Sequence, residues 1–327
     1  MNINTLLPLI WNHLDLICQV GIPLLAFVVC FIVGCIMHHR RGGLRTGIIV
    51  AVVLALLYLY GSQIGFAQIE VTNVEYASCD LPQAFDGYRI VQFSDAHVGT
   101  FSGRRADILR RAIDSINAQQ ADAVVFTGDL QNRSYKEIEQ HFDELSKVKA
   151  KDGVFAVQGN HDYAIYMNQD DPHALAIQLG RTESLFEELG WCLLSNTRQH
   201  IRRDSSTIVI AGMANDGEGR FPQLGNHNQA LWGISRDEFV VMLEHDPSSW
   251  RRRILPHTHV QLTLSGHTHG GQINILGWSP ARLRCRECQG LYQGGGRALY
   301  VSRGIGGVVP FRLNCPAEIT VITLRKK

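Results

Sequence analysis

Five short polar clusters in this sequence combine the residue types that bind divalent metal ions. Each cluster follows a run of apolar residues, as a loop follows a strand. The clusters are Ser94-Asp95-Ala96-His97, Thr127-Gly128-Asp129, Gly159-Asn160-His161-Asp162, Glu244-His245-Asp246-Pro247 and Ser265-Gly266-His267-Thr268-His269-Gly270-Gly271-Gln272. Loops beyond the carboxyl ends of strands are where α/β folds build their sites. Manganese, iron and zinc accept the mixed oxygen and nitrogen ligands of Asp, Asn and His, so the pattern predicts a metal site.

Taken one at a time, the clusters are weak signals. A Gly-Asp pair is more often a turn than a ligand, and His245 before Asp-Pro also fits a turn. His267 and His269 are more telling, because residues two apart on a strand share one face. The segment His257-Thr258-His259 has the same spacing, but no apolar strand precedes it and no glycines follow it. We therefore predict a surface position for that segment.

Taken together, the order and content of the five clusters resemble the calcineurin-like metallophosphoesterase superfamily. The pattern of that superfamily is D-x-H, G-D-x-x-D, G-N-H-D/E, a lone His and G-H-x-H. The resemblance runs from about Tyr88 to the C-terminus. Two segments, Ser265–Gln272 and Tyr300–Gly304, are similar to the bacterial membrane-associated branch of the superfamily. The resemblance implies a metal-dependent phosphoric ester hydrolase.

The resemblance also implies two divalent ions, manganese, iron or zinc, that share one bridging carboxylate. It assigns the ligands in two sets, which are Asp95, His97, Asp129 and His269 for one ion, and Asp129, Asn160, His245 and His267 for the other. Asp129 is the bridge, because a carboxylate offers two anionic oxygens. Two ions about 3.5–4 Å apart clamp a phosphoryl group and acidify a bridging water, and the resulting hydroxide attacks phosphorus in line.

His161 follows a ligand position and, by the same resemblance, is the catalytic residue that faces the leaving group and supplies a proton. An imidazole suits this role because its unperturbed pKa is about 6.5. The sequence departs from the family's pattern at Asn132, where an Asp normally orients this His. Asn132 offers a hydrogen bond but no charge. Asp162 is either a substitute partner for His161 or the cap of a following turn.

Four further residues are candidates for contacts with the substrate. Asn132 and Arg133 follow the Gly-Asp cluster, and Arg303 and Arg312 lie near the C-terminus. A guanidinium group matches a phosphate with two parallel hydrogen bonds. An ordinary surface position is the alternative for each Arg.

The elements that must position these clusters alternate as strand and helix early in the chain and are mostly strands later. Predicted strands cover residues 88–94, 123–127, 153–157, 207–211, 240–243, 261–265, 298–302 and 319–324, and predicted helices cover 104–118, 134–148 and 182–189. This order favours an α/β fold, a layered α-β-β-α sandwich of the metallophosphatase kind, over a barrel. Residues 213–233 and 277–297 lack periodicity and are predicted loops that contact the substrate.

Residues 1–70 contain only five of the 61 formally charged residues of the chain. We predict a membrane anchor at 1–70, with transmembrane helices at about 16–37 and 46–66, and a phosphoesterase domain at 71–327. The two uncharged runs there have 22 and 24 residues, and about 20 apolar residues span a bilayer. Arg40, Arg41 and Arg45 lie between them. The positive-inside rule places this loop in the cytoplasm and the catalytic domain outside a bacterial inner membrane, in the periplasm.

This anchor has two alternatives. A cleaved signal peptide is disfavoured, because residues 1–8 carry no basic group and two apolar runs are present. One span with one interfacial helix stays open.

The motif Cys285-x-x-Cys288 predicts a local disulfide or two free thiols, and it lacks the second pair that a zinc knuckle needs.

The expected partners are a phosphate-ester substrate and the lipid bilayer. The net charge of +1 gives no electrostatic argument for nucleic acid, and the oligomeric state stays open. A phosphodiesterase is favoured over a protein phosphatase or a nuclease, with a lipid-linked or sugar-nucleotide substrate as one option. The rival hypothesis is a non-catalytic, membrane-anchored binding or scaffold protein with the same fold, which predicts missing ligands.

Overall fold

The computed structural model of the protein describes residues 21–36, 39–166 and 171–327. Twelve strands of this part form two six-stranded sheets. The strands are β1 (Ile69–Ser78), β2 (Arg89–Phe93), β3 (Ala123–Thr127), β4 (Val154–Val157), β5 (Trp191–Leu193), β6 (Thr197–Arg203), β7 (Ser206–Gly212), β8 (Phe239–Leu243), β9 (Leu262–Ser265), β10 (Gly290–Gly294), β11 (Arg297–Val301) and β12 (Ala317–Lys326).

Eight α-helices of the described residues accompany the strands. They are α1 (Ile22–Ile36), α2 (Arg40–Tyr60), α3 (Ala106–Ala118), α4 (Tyr135–Gln140), α5 (Phe142–Leu145), α6 (Pro172–Glu188), α7 (His227–Ala230) and α8 (Leu255–His257). The predicted helix at 134–148 is α4 and α5, which are separated at His141. The predicted helix at 182–189 is the second half of α6, whose N-terminus is capped by the Asp171 side chain.

The first sheet has the strand order β1-β12-β2-β3-β4-β5, and the second has β10-β11-β9-β8-β7-β6. The neighbours β2, β3 and β4 run parallel, as do β7, β8 and β9. Parallel neighbours end at the same edge of their sheet, so the loops after β2, β3 and β4 emerge together. The loops after β8 and β9 do the same in the second sheet.

Three apolar clusters hold the layers together. Side chains such as Ile90 and Val125 of the first sheet pack against Ile210 and Leu264 of the second. On the outer face of the first sheet, α3 buries one stripe of its surface. A third cluster, with Trp250, covers the outer face of the second sheet. The mixed α/β fold with two stacked sheets, expected from the sequence, is confirmed.

Within the described residues, one helical segment, Arg41–Gly65, is long and apolar enough to cross a membrane. The shorter apolar helix α1 packs against it where Gly34 meets Gly43, and a Cβ at Gly34 would lie 2.3 Å from the Gly43 Cα. The first predicted span, 16–37, lies partly outside the described residues. Two membrane-spanning helices are therefore not confirmed.

The end of α2 is fixed to the rest of the chain. A π-helical turn, Gly61–Gly65, follows α2 directly. The Tyr58 ring stacks on Phe311 with 5.5 Å between ring centroids, and the Arg312 backbone N–H donates to the Gly61 carbonyl at 3.0 Å. Strand β1 then begins at Ile69 and pairs in parallel with β12 along its whole length. The helix therefore leads into the first sheet without a flexible linker.

Candidate metal centre

The five polar clusters meet at one place, where the carboxyl ends of strands from both sheets come together. Asp95 and His97 follow β2, Asp129 follows β3, and Asn160 follows β4. The second sheet contributes His245 after β8 and the pair His267 and His269 after β9. Apart from the partly exposed His267 and His269, these side chains are buried.

The turns that carry these side chains use an unusual backbone conformation. The φ angles are positive at Asp95 (50°), His97 (44°), Asp129 (62°), His267 (73°) and His269 (52°). Non-glycine residues rarely adopt this region, and the strain persists only where surrounding contacts enforce it. Such outliers cluster at functional sites.

Glycines allow the turns to approach one another closely. A Cβ at Gly128 would lie 2.5 Å from His245 Nδ1, and a Cβ at Gly159 would lie 2.3 Å from Asp129 Oδ1. Both positions therefore require glycine, because a side chain would occupy the space of the cluster.

The ligating atoms form a compact group centred on Asp129. Asp129 Oδ2 lies 3.2 Å from His245 Nε2 and 3.6 Å from His97 Nε2. Asp95 Oδ1 lies 3.5 Å from His269 Nε2. His267 Nδ1 lies 3.2 Å from His245 Nε2. Three overlapping groups, each with ligand atoms within 4.8 Å of one another, could hold a metal ion, and they are Asp95–His97–His269, His97–Asp129–His161 and Asp129–His245–His267.

Unsatisfied polar atoms support a cation site here. Asn160 Oδ1 and both ring nitrogens of His97 are buried without a hydrogen-bond partner. Buried polar atoms are normally paired, because an unpaired one costs free energy. A carbonyl oxygen and imidazole nitrogens are metal-ligand atoms, so the residues present fit divalent ions.

Burial and mutual charge shift the pKa values within the cluster. Burial and the neighbouring Asp129 carboxylate raise the pKa of Asp95 to about 7. Burial lowers the pKa of His97 to about 3. Burial also acts against protonated His245, but the Asp129 and Asp95 carboxylates raise its pKa to about 10. Burial alone would raise the pKa of Asp129, because it disfavours the charged carboxylate. The surrounding imidazoles outweigh this effect and keep the Asp129 pKa well below the ordinary range.

His161 is held at the cluster by the backbone of another turn. Its Nδ1 lies 2.7 Å from the Asn132 carbonyl oxygen, and its own backbone N–H donates to Asp129 Oδ1 at 2.8 Å. The carbonyl accepts only from a protonated Nδ1, which leaves Nε2 for other partners. The ring lies 4.6 Å from that of His97. The hydrogen bond expected from Asn132 therefore comes from its main chain, and the side-chain Oδ1 of Asn132 has no hydrogen-bond partner.

Asp162 caps the turns and is not a partner of the His161 ring. Its buried carboxylate accepts backbone N–H groups from Asp129 at 2.9 Å, Leu130 at 3.0 Å and Gly159 at 2.9 Å. It thereby joins the turn after β3 to the turn after β4. Burial raises its pKa to about 7.

Two of the arginines expected to contact the substrate have structural partners. Arg303 Nη2 lies 3.1 Å from Glu318 Oε1 and 2.9 Å from Glu70 Oε2. Arg312 is fully buried and donates to main-chain carbonyls, including those of Gly304 at 2.9 Å and Gly306 at 2.7 Å. Both side chains are thus held by other parts of the chain, and contact of Arg303 or Arg312 with a phosphate stays a prediction.

Arg133 stays a candidate. It is partly exposed on the turn after β3, next to Asn132. Its positive charge lies near Glu137 and opposes the rise in the pKa of that residue that burial causes.

Two aromatic residues that the sequence patterns did not reveal line the cluster. The Tyr166 ring lies 4.2 Å from that of His161, and Asn160 Nδ2 donates to the Tyr166 hydroxyl at 3.4 Å. The Phe221 ring meets His267 edge to face at 5.0 Å. Both residues come from loops without periodicity. The only available signal was the position of Phe221 in the long loop 213–233.

The remaining candidates are the His257–His259 segment and the Cys285–Cys288 pair, and the Cys288 carbonyl accepts from the Thr268 hydroxyl, between His267 and His269. The His257 ring is exposed and stacks on His227 with 5.9 Å between centroids, whereas Thr258 and His259 are half-buried, so the predicted surface position holds for His257 alone. Cys285 and Cys288 are free thiols whose sulfur atoms lie 2.9 Å apart.

Comparison with known proteins identifies the family. Residues 88–271 match the family described as calcineurin-like phosphoesterase, which covers more than half of the chain. The chain is similar to an uncharacterized metallophosphoesterase, YkuE, of Bacillus subtilis, with 32% identity over 82% of this chain and 90% of that protein. The chain therefore belongs to the calcineurin-like phosphoesterase family, which supports a metal-dependent phosphoester hydrolase.

Other matches extend the comparison. A "transmembrane protein with metallophosphoesterase domain" of Danio rerio is 28% identical over 87% of this chain and 64% of that protein, so the chain spans less than two thirds of its length. A solved dimetal phosphatase from Danio rerio has a TM-score of 0.40 and 14% identity, covering 67% of this chain and 88% of that chain.

Proposed function

We propose that the protein is a membrane-anchored phosphoesterase that uses two divalent metal ions and prefers phosphodiesters. The observation that carries this proposal is the convergence of six Asp and His ligand side chains from both sheets, with Asp129 among them, beside the turn after β4 that carries the unpartnered Asn160 oxygen. A degenerate scaffold protein would be expected to lack one of these ligands. All seven positions are filled, so the enzyme is favoured over the scaffold.

In this proposal the ligands divide into two sets that share Asp129. Asp95, His97 and His269 complete one set, and Asn160, His245 and His267 complete the other. The unpartnered Asn160 oxygen supports its role as a neutral ligand. A neutral ligand limits the negative charge of the site, which favours the approach of a phosphate ester.

The ions, when bound, would neutralise the phosphoryl oxygens and acidify the attacking water. The chain's own contribution is orientation and proton transfer. His161 is the proposed proton donor to the leaving group, because the Asn132 carbonyl accepts from Nδ1 and leaves Nε2 for the substrate. Donation from Nε2 requires the doubly protonated ring, and burial opposes that form by lowering the pKa of His161, whereas the Asp129 carboxylate favours it. Asn132 orients His161 through its carbonyl and stays a candidate contact of the substrate through its side chain, and Arg133 is the proposed phosphate contact on the same turn.

The membrane anchor and the location are further parts of the proposal. The candidate span Arg41–Gly65 and the relatives named as transmembrane proteins support an anchor. Arg41 and Arg45 near the start of that segment favour a cytoplasmic start, and so a periplasmic domain on a bacterial inner membrane. An anchored site would meet lipid-linked or sugar-nucleotide phosphodiesters at the bilayer surface.

The test is hydrolysis by the purified full chain in detergent. Bis-p-nitrophenyl phosphate and p-nitrophenyl phosphate would be offered with Mn²⁺, Fe²⁺, Zn²⁺ or Co²⁺, after removal of bound metal. We expect turnover with at least one metal and a faster rate on the diester. Absence of turnover with every metal would favour the scaffold hypothesis.

Asp129→Asn is the matched inactive variant for this assay. It preserves the size of the side chain but removes one anionic oxygen, so it cannot bridge two cations. We expect loss of activity and less bound metal, measured by elemental analysis. Normal metal content together with a normal rate would refute the bridging role.

A further inference from the structure

Four large apolar side chains are exposed to solvent on the loop that follows His269. The exposed fraction is 102% for Leu276 and 77% for Leu283, and Ile275 and Trp278 are also exposed. We call these four residues the apolar loop. A soluble surface seldom concentrates side chains of this size, and such a concentration indicates an interaction site.

The tip of the apolar loop is built to project outward. Ile275 and Trp278 exchange two backbone hydrogen bonds, of 2.8 and 3.0 Å, across a tight turn. Leu276 lies at the tip with a φ of +51°. This strained conformation holds a fully exposed leucine away from the protein. The protein itself does not bury the Leu276 side chain, so only a partner or an apolar medium outside the protein can do so.

The apolar loop and the end of the candidate span are attached to one another. The Asn274 backbone N–H donates to the Leu313 carbonyl at 2.9 Å. The Gln272 side chain donates to the Phe311 carbonyl at 2.8 Å, and the Phe311 ring stacks on Tyr58 of α2. The loop thus lies on the same connected strip of structure as the point where α2 ends.

The chemistry of the loop matches a lipid interface. Trp is enriched where a bilayer meets water. Three exposed arginines occupy alternate positions of the chain, and they are Arg282, Arg284 and Arg286. The exposed Leu283 lies between the first two. Basic side chains beside apolar ones are attracted to anionic headgroups while the apolar ones enter the acyl region.

The loop is also linked to the proposed metal centre. The Ser279 hydroxyl donates to the Gly270 carbonyl at 2.7 Å, directly after the ligand His269. A Cβ at Gly271 would lie 2.8 Å from the Ala281 Cβ. The loop therefore packs closely against the turn that presents His269.

We propose that the apolar loop inserts into the lipid leaflet from which α2 emerges, with Arg282 and Arg284 on its anionic headgroups. This inference rests on the proposed function for the membrane anchor, and it deepens that function. The metal centre then lies at the headgroup layer, and its substrates are phosphodiesters whose lipid part stays in the leaflet.

The direct test measures the depth of Trp278 in the bilayer. The full chain is reconstituted in phosphatidylcholine and phosphatidylglycerol vesicles, with or without acyl chains brominated near the headgroup. Bromine quenches Trp fluorescence only at close range. We expect the Trp278→Phe variant to lose part of the quenching that the unaltered chain shows.

Trp232→Phe is the matched control. Trp232 is 76% exposed but follows α7 beside β6, at the opposite edge of the second sheet from β10. We expect this variant to show at least the fractional quenching of the unaltered chain, because it loses only an unquenched Trp. Equal quenching in all three proteins, with the chain in the vesicles, would overturn the inference, as would a concentration-dependent burial of Trp278 by a second copy.

An activity ratio separates this inference from the proposed function. Hexadecyl p-nitrophenyl phosphate in vesicles is compared with water-soluble bis-p-nitrophenyl phosphate. In the double variant Leu276→Ser and Leu283→Ser, we expect the ratio of the two rates to fall on the order of tenfold. An unchanged ratio contradicts the inference alone. Loss of both reactions in the unaltered chain, with Trp278 still quenched, contradicts only the phosphoesterase.

Discussion

Five of the seven proposed ligands depend on backbone angles that most residues avoid. At Asp129 the φ angle is 62°, and the strain is offset by hydrogen bonds, such as the one from its N–H to Asp162 at 2.9 Å. The side chains are thus aimed before any ion binds. Such preorganisation favours tight binding, because little ordering is left to occur with the ligand.

His161 offers a test at the level of one ring nitrogen. In His161→Asn the amide N–H can still donate to the Asn132 carbonyl, as Nδ1 does at 2.7 Å, but no group replaces Nε2. On a dialkyl phosphodiester, whose alkoxide leaving group needs a proton, we expect kcat to fall about 10²–10⁴-fold, the usual contribution of general acid catalysis. Bound metal, measured by elemental analysis, should not change.

A substrate with a better leaving group supplies the control for His161. A leaving group that needs no proton should recover most of the lost rate in His161→Asn. A variant that loses its metal would show that His161 is a ligand, as its proximity to His97 and Asp129 also allows.

At the scale of elements, the sequence predicted the strands that carry the site. The predicted strand at 123–127 coincides with β3, and the predicted strand at 240–243 differs from β8 by one residue. These strands are continuous apolar runs buried on both faces, and short buried runs followed by polar turns are easy to recognise. The sequence therefore placed each of the five clusters directly after a predicted strand.

The elements that were missed have weak or misleading patterns. Strand β6 (Thr197–Arg203) is mostly exposed and polar, and β10 contains Gly at both ends. Strand β1 (Ile69–Ser78) follows the apolar segment directly and is stabilised by β12, which lies more than 200 residues later in the chain. Side-chain partners such as Tyr166 come from tertiary packing, which a local pattern cannot encode.

The junction between α2 and the first sheet offers a test at this scale. A Cβ at Gly65 would lie 1.9 Å from the Arg312 carbonyl oxygen, a backbone atom that cannot move away easily. We expect Gly65→Ala to lower the free energy of unfolding by about 2–3 kcal/mol, measured as a lower thermal midpoint at a fixed heating rate.

Gly180→Ala is the matched control for this substitution. Gly180 lies inside α6, and no heavy atom lies within 4 Å of its added Cβ. Because alanine favours the helix, we expect a gain of about 0.5–1 kcal/mol. A Gly65→Ala protein as stable as the unaltered chain would show that the junction is loose.

At the scale of the whole molecule, the proposed metal centre joins the two sheets. Asp95, Asp129 and Asn160 belong to turns of the first sheet, whereas His245 and His269 belong to turns of the second. Without ions, the cluster brings two carboxylates together inside the protein. Bound cations would compensate these charges and connect both layers, so metal binding and global stability are coupled.

Metal removal should therefore destabilise the whole protein, and more so at higher pH. Without metal, the Asp95 pKa is about 7 in the folded protein, above its ordinary value near 3.9. The proton bound to Asp95 stabilises the folded protein. This contribution is fully present at a pH below the ordinary pKa and is lost as the pH rises through about 7. His245, with a pKa of about 10, acts in the same direction. Ions must displace these protons, so their stabilisation grows as pH rises.

We expect the thermal midpoint of the Mn²⁺-loaded protein to exceed that of the chelated protein by more at about pH 8 than at about pH 5.5. In free energy, Asp95 alone adds about 2 kcal/mol to the stabilisation by metal as the pH rises from 5.5 to 7, at about 1.4 kcal/mol per pH unit. Differential scanning fluorimetry of the full chain, with and without EDTA, measures both midpoints. In Asp95→Asn, which has no proton to displace, the pH dependence should be smaller. A stabilisation by metal that is the same at both pH values would mean that the ions do not bind at Asp95.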